Sequence, residues 1–432
     1  MAAMLRAPFR VASLSHCKDF LKVKWQDGAV SQFPSVWLRN SVRDPNVFDA
    51  QTFIHQQRDF ARFITKDSTI LHAENKPESE DVMVDWEDHR TSFNASWLRA
   101  RDLANSKQLS AGNPNLVMWD ASDKLSITYD FAERKEKLYS WMTDLRKYGI
   151  AYFKGVPTNE KGLQELLETV GQVMQRSHPV NFLTIKVDNS NIEDIDVHIY
   201  TAKAHPVHND TSYYPVPARI SGLLASQYSA PAGAVDTLNF FVDSVKVIED
   251  IRKEDPEAYE LLSTLPVRLS RRRMTLQEPC EPQRVGVYNY ESMMKTPLIC
   301  YDADEERPML RFTNKQCGID MDSFKDQATM KRFYEAFLLL ESKLSDPRYR
   351  QSLVLREGWC ALFNNYRVTH GRGPIAPSTK RTLMLSFLDD TTWRSRWRIM
   401  HGNKSNLDTK WLYGCSEKEL EILANRCVSD NQ

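Results

Sequence analysis

Two histidines and one aspartate carry the chemistry this sequence suggests. His208 and Asp210 stand two residues apart, and His370 follows far downstream. Two imidazoles and one carboxylate on one face of a first-row metal leave three positions open. Non-haem Fe(II) uses that arrangement to hold an oxo-acid, a substrate and oxygen together. On a strand, side chains two apart share a face, so His208-Asn209-Asp210 predicts adjacent ligands. The tripeptide alone is weak evidence: ten histidines and 57 acids in 432 residues give about 1.3 such pairs by chance (10 × 57/432). A second instance, His72-Ala73-Glu74, reads as surface noise. Context separates the two. A β-like stretch over 196–202 precedes His208, and Thr211-Ser212-Tyr213-Tyr214 and an apolar run over 220–225 follow it. His370 comes after a turn glycine, Gly358, an apolar strand and an Asn364-Asn365 turn.

Eleven residues past His370, Arg381 opens the alternating series Arg381, Leu383, Leu385, Phe387, which predicts one inward face. An arginine entering an apolar interior is costly unless it meets an anion. Its planar fork matches the distal carboxylate of 2-oxoglutarate bidentately. Two blander readings stay open at this level. His370 would be a hydrogen-bonded histidine at a strand end, or Arg381 would lie at the surface with Lys380 inward.

The elements that must position these groups fall into two parts. The first hundred residues read as short strands and turns, with hairpins over 20–33 and 82–93. Trp-Leu-Arg recurs at 37–39 and 97–99, and no internal repeat is evident. The polar segment 105–115 is the linker candidate, placing a small β-rich domain at 1–108 and a catalytic domain at 109–432. Beyond it, Leu138, Trp141, Met142 and Leu145 lie at helical spacing before Gly149, a strand follows at 150–153, and a second helix covers 163–170. Short β-like runs then dominate, interrupted by helices at 244–262 and 329–344. The pattern predicts an α+β fold, a β-sandwich or barrel braced by helices.

Lysine plus arginine and aspartate plus glutamate both number 57, so no positive excess favours nucleic acid or an anionic membrane. No apolar run approaches the roughly 20 residues of a membrane span. The seven cysteines are scattered without a C-x-x-C pair, which fits a reducing compartment rather than a disulfide framework. Arg6, Arg10 and Lys18 precede the first acid, Asp19, as in a mitochondrial presequence, but strand-like alternation starts at Val11. The cytoplasm is expected, with the mitochondrion as alternative.

Together these residues resemble the γ-butyrobetaine and trimethyllysine dioxygenases, a branch of the taurine-dioxygenase-like Fe(II)/2-oxoglutarate oxygenases. The likeness runs from Trp25-Gln-Asp-Gly, Phe33-Pro-Ser-Val-Trp37-Leu-Arg-Asn40 and Asp85-Trp86-Glu-Asp-His89 through His208-Asn-Asp-Thr-Ser-Tyr-Tyr and Phe241-Val-Asp-Ser to His370-Gly-Arg. Ser395-Arg-Trp-Arg-Ile is closer to the γ-butyrobetaine members. The resemblance implies a double-stranded β-helix (jelly-roll) catalytic domain, with iron on His208, Asp210 and His370. It implies 2-oxoglutarate on Arg381 and on the Thr237 hydroxyl, although Ala234-Val235 replace a family glycine pair. Tyr200 and Phe387 match positions of a trimethylammonium cage, where aromatic faces hold the cation. Thr313 stands where the family has a substrate-pocket asparagine. The stretch 176–187 offers only His178 and Phe182 for the remaining cage positions, so the cage is incomplete. A zinc site in the leading domain is not expected, because no cysteine follows Asn40 and His89 has no fellow ligands.

The expected activity is hydroxylation of a small zwitterion, γ-butyrobetaine to L-carnitine first, trimethyllysine or a related zwitterion next. Oxygen is the other cosubstrate, ascorbate supports full activity, and a homodimer stays open as the assembly. A zinc hydrolase on the same cluster would have no use for Arg381, and a non-catalytic relative would not need all three ligands.

Overall fold

The computed structural model describes residues 9–56, 68–76, 80–103, 116–174, 183–187, 202–273, 290–302, 307–313, 317–318 and 323–424. The chain forms two compact units, residues 1–114 with 397–432, and residues 115–396. The expected division after 108 therefore changes at the C-terminal end. Trp411, Cys415, Leu420 and Leu423 share an apolar core with Trp25, Phe33, Trp86 and Trp97. A short amphipathic segment does not announce in sequence which core it will cover.

The leading unit is built twice. Val11–His16, Phe20–Trp25 and Val30–Pro34 form an antiparallel meander that runs into the helix Ser35–Asn40. His72–Lys76, Asp81–Asp85 and Arg90–Asn94 do the same before Ala95–Ala100. The expectation of no internal repeat is thus corrected. The halves keep only the residues the packing needs, Val23 with Val84, Trp25 with Trp86, and the two Trp-Leu-Arg helices. Trp37 stacks on Trp97 at 5.4 Å. Each half's arginine reaches the other half: Arg39 lies over Trp86 and pairs with Asp88, while Arg99 lies over Trp25 and pairs with Asp27. His89 belongs to this arrangement, its ring within 2.8 Å of the Arg39 guanidinium.

The second unit is an α+β double-stranded β-helix. Its larger sheet orders Leu183–Val187, Lys380–Leu388, Ile220–Ser229, Cys360–Asn364, Ile150–Lys154 and Thr128–Asp130. Its smaller, antiparallel sheet orders His205–His208, Val368–Arg372, Asn239–Asp243 and Arg350–Leu353. The core joins Phe241 and Val368 of the smaller sheet to Leu223, Phe363, Leu385 and Phe387 of the larger. Helix Leu138–Tyr148 ends at Gly149, whose φ of +80° suits glycine, and its Trp141 meets Phe153 edge-on. The helix expected over 244–262 is two, Ser244–Glu254 and Pro256–Thr264. Pro256 has no N–H to continue the first, and the Asp255 side chain caps the second by accepting from the Ala258 amide at 3.0 Å. The second helix after Gly149 runs over Glu160–Leu167, ending short of Val170.

One buried ion pair ties the strand of His370 to the rest of the unit. Arg367 lies in the turn before Val368–Arg372 and holds Asp243 through two bonds, 3.0 and 2.6 Å, with both side chains fully buried. It also donates to the Lys147 carbonyl at 2.8 Å and to that of Val117. Removing one partner of such a pair strands a charge in low dielectric. Asp243→Asn is therefore expected to lower unfolding stability by about 3–5 kcal/mol in urea denaturation. A loss below about 1 kcal/mol, as for a surface pair, would show that the contact is not structural.

Candidate active site

Backbone pairing brings the two histidines together. His208 ends its strand directly opposite His370 of the neighbouring strand, and the rings lie 4.4 Å apart. Asp210 is not on that strand, which corrects the period-two expectation. It sits in the turn that follows, where Thr211 takes the left-handed conformation (φ +54°) and its hydroxyl accepts from the Ala218 amide at 2.8 Å. The turn aims the carboxylate back at both imidazoles. Its oxygens lie 3.7 Å from Nε2 of His208 and 3.8 Å from Nε2 of His370. One ligand atom from each of the three lies within 4.8 Å of the others. Those separations are too long for hydrogen bonds and suit three ligands facing one ion. Glu74 of the second His-x-acid pair instead joins Arg90 in the leading unit.

The surroundings fix the form of each ligand. Nδ1 of His208 donates to the Pro206 carbonyl at 3.0 Å, leaving Nε2 for a metal. Burial pushes the His370 imidazole down to about 4, more than the Asp210 carboxylate raises it. It is therefore neutral at pH 7, the form that ligates. Ser221 donates to Oδ2 of Asp210 at 3.0 Å. Asn365 grips the turn itself: its Oδ1 accepts from the Asp210 amide, and its Nδ2 donates to the carbonyls of Asp210 and Ala218, at 2.8, 2.8 and 3.0 Å. Read in sequence as half of an Asn-Asn turn, Asn365 gave no sign of this clamp. Its partners are 155 and 147 residues away.

Arg381 is buried, 2% exposed, on the inward face with Leu383, Leu385 and Phe387, and Lys380 points outward. The surface reading of Arg381 is thereby ruled out. Its guanidinium donates to Oδ1 of Asn239 at 2.7 Å, and among the described residues it has no carboxylate partner. Burial and the neighbouring Arg372 cation push it down to about 9. Tyr228 is its cross-strand neighbour, and the Tyr228 hydroxyl accepts from the Thr237 amide at 3.0 Å and donates to Asp236 at 2.8 Å. The Thr237 hydroxyl is buried without a partner. A buried cation lacking a counter-anion and an orphaned hydroxyl are what an absent carboxylate leaves behind.

Of the residues assigned to substrate, Phe387 is buried between the sheets, and Thr313 is buried next to Phe312, whose backbone pairs with Asn209 at 2.9 and 3.0 Å. Tyr200, and with it His178 and Phe182, lies outside the described residues.

The donor set thus fits an iron ion, and Arg381, linked through Tyr228 to the turn of the orphaned Thr237 hydroxyl, fits a dicarboxylate. The family model for "Taurine catabolism dioxygenase TauD, TfdA family" matches residues 109–387. The chain belongs to this family. It is a 2-oxoglutarate-dependent dioxygenase, with iron and 2-oxoglutarate as the family's metal and cosubstrate. A second model, "Gamma-butyrobetaine hydroxylase-like, N-terminal", matches residues 12–99. A gamma-butyrobetaine dioxygenase of Pseudomonas sp. (strain AK-1) is 24% identical over 85% of this chain and 90% of its own length. A trimethyllysine dioxygenase of Meyerozyma guilliermondii is 22% identical over 94% of this chain and 100% of its own. A solved asparagine oxygenase structure aligns with a TM-score of 0.43 and 14% identity, over 59% of this dioxygenase and 79% of that chain.

If Asn365 holds the Asp210 turn, Asn365→Ala weakens metal binding about 10- to 100-fold, read by titrating Mn(II) and following its EPR signal. Unchanged affinity would mean that the turn holds its shape without the clamp.

Proposed function

We propose that this dioxygenase hydroxylates γ-butyrobetaine to L-carnitine. The observation that carries the oxygenase part is the convergence of His208, Asp210 and His370 in a barrel that also holds an unneutralised Arg381. His208, Asp210 and His370 would hold iron, and Arg381 with the Thr237 hydroxyl would hold the distal carboxylate of 2-oxoglutarate. Bound iron supplies oxygen activation coupled to decarboxylation of 2-oxoglutarate to succinate, and with it oxidation of an unactivated C–H bond. The protein's own groups bind and orient. Arg381 fixes the far end of the cosubstrate, Ser221 holds the carboxylate of Asp210 and Asn365 the backbone of its turn, and the apolar core around Phe363 and Phe387 keeps water out. No side chain has to act as nucleophile or general base.

The substrate is supported by the leading domain's match and by the near full-length likeness to a γ-butyrobetaine dioxygenase. A trimethylammonium group needs aromatic faces, and Phe387 and Tyr200 are the candidates. Trimethyllysine is the second reading, favoured by a relative that spans 94% of this chain.

The decisive assay incubates the protein with Fe(II), ascorbate and 2-oxoglutarate and measures succinate with γ-butyrobetaine, trimethyllysine or neither. Succinate is expected to rise most with γ-butyrobetaine. Stimulation by trimethyllysine alone would replace the substrate, and no succinate under any condition would sink the oxygenase reading. Asp210→Ala is expected to abolish both turnover and metal binding; turnover that survives it would overturn the ligand assignment.

A further inference from the structure

Arg381 is held by a neutral side chain, whereas two other buried arginines of this unit, Arg367 and Arg219, are held by acids. Arg367 faces Asp243 at 2.6 Å, and Arg219 faces Asp302 at 2.6 Å, each pair buried. Arg381 instead donates to the side-chain oxygen of Asn239 at 2.7 Å, and Asn239 is itself 2% exposed. The amide has only one sensible orientation. Its Nδ2 faces the Leu353 carbonyl at 3.4 Å, so flipping it would set oxygen against oxygen and NH₂ against guanidinium. Backbone pairing locks Asn239 between Leu353 on one side and Arg372 on the other. Around Arg381 the charged and titratable neighbours are the Arg372 cation and the Tyr228 phenol, so no carboxylate among the described residues offsets its charge.

We infer that Asn239 is a positioning residue for the oxo-acid anchor: it orients the Arg381 guanidinium by one hydrogen bond and, being neutral, leaves the whole positive charge for the cosubstrate's distal carboxylate. The inference rests on the reading of Arg381 as that anchor. Its physical content is the difference between asparagine and aspartate at one position. An aspartate has nearly the same shape and would still accept from Arg381, but as an ion pair that competes with the ligand. A hydrogen bond donated to a neutral amide oxygen restricts the fork and leaves its charge unpaired.

The test measures binding by calorimetry under anaerobic conditions, using Mn(II)-loaded protein titrated with 2-oxoglutarate and, separately, with 2-oxobutanoate, which lacks the distal carboxylate. Asn239→Asp is expected to weaken 2-oxoglutarate by about tenfold or more while leaving 2-oxobutanoate and Mn(II) affinity near the unsubstituted protein. Its melting temperature should not fall below that of Asn239→Ala, since the aspartate gives a buried cation a partner. Asn239→Ala should weaken 2-oxoglutarate only about threefold, through loss of orientation. If the aspartate and alanine variants lose 2-oxoglutarate equally, or the aspartate variant binds it as tightly as the unsubstituted protein, the inference fails. Should the aspartate variant not fold, the alanine variant decides: it must weaken 2-oxoglutarate more than 2-oxobutanoate, and equal effects overturn the proposal. Arg381→Met is the control for the underlying reading. If it leaves 2-oxoglutarate affinity intact, Arg381 is not the anchor, whatever Asn239 does.

Discussion

The antiparallel pairing of His205–His208 with Val368–Arg372 is the constraint on which the candidate centre depends. It sets His208 opposite His370 by backbone hydrogen bonding, so the two imidazoles need no long flexible reach. Gly371 permits the close approach: a Cβ there would meet the His205 carbonyl at 2.6 Å. Everything else trims this pairing. Asn365 turns Asp210 toward the two rings, and the Arg367–Asp243 pair anchors the turn from which the His370 strand starts.

Charge is handled in two ways inside the same unit. Arg367 is paired with Asp243 and Arg219 with Asp302, and Arg394 joins Asp302 at 2.7 Å and Asp390 at 2.8 Å, so these three arginines face three carboxylates. Arg381 is different, held by Asn239 and left cationic. A buried cation of that kind is destabilising unless an anion completes it, so part of the folding free energy is held in reserve for binding. One residue type thus meets carboxylates at Arg367 and Arg219, backbone carbonyls at Arg311 and a side-chain amide at Arg381, a difference set by partners far away in the chain.

The leading unit follows its own logic. Two copies of a meander and helix interlock through their Trp-Leu-Arg helices, each arginine reading the other copy's tryptophan and aspartate. Packing of this reciprocal kind conserves a handful of core positions and leaves strand surfaces free to drift. The recurrence of Trp-Leu-Arg was therefore visible in the sequence while the duplication behind it was not.

What the sequence by itself determined was the chemistry and most of the elements. Two histidines, an aspartate and an arginine eleven residues beyond the second histidine pointed to iron and an oxo-acid. Period-two alternation put Arg381 inside with Leu383, Leu385 and Phe387, and Gly149 marked a helix end. These signals are local, and local geometry obeys fixed periods. Tertiary structure decided what depends on partners far away in the chain. It placed Asp210 in a turn rather than on a strand, because Asn365 holds that turn from 155 residues away. It sent the C-terminal segment to the leading unit's core, since apolar faces do not encode their partner. It gave Arg381 a neutral neighbour, Asn239, across 142 residues, and that choice keeps the site's charge available.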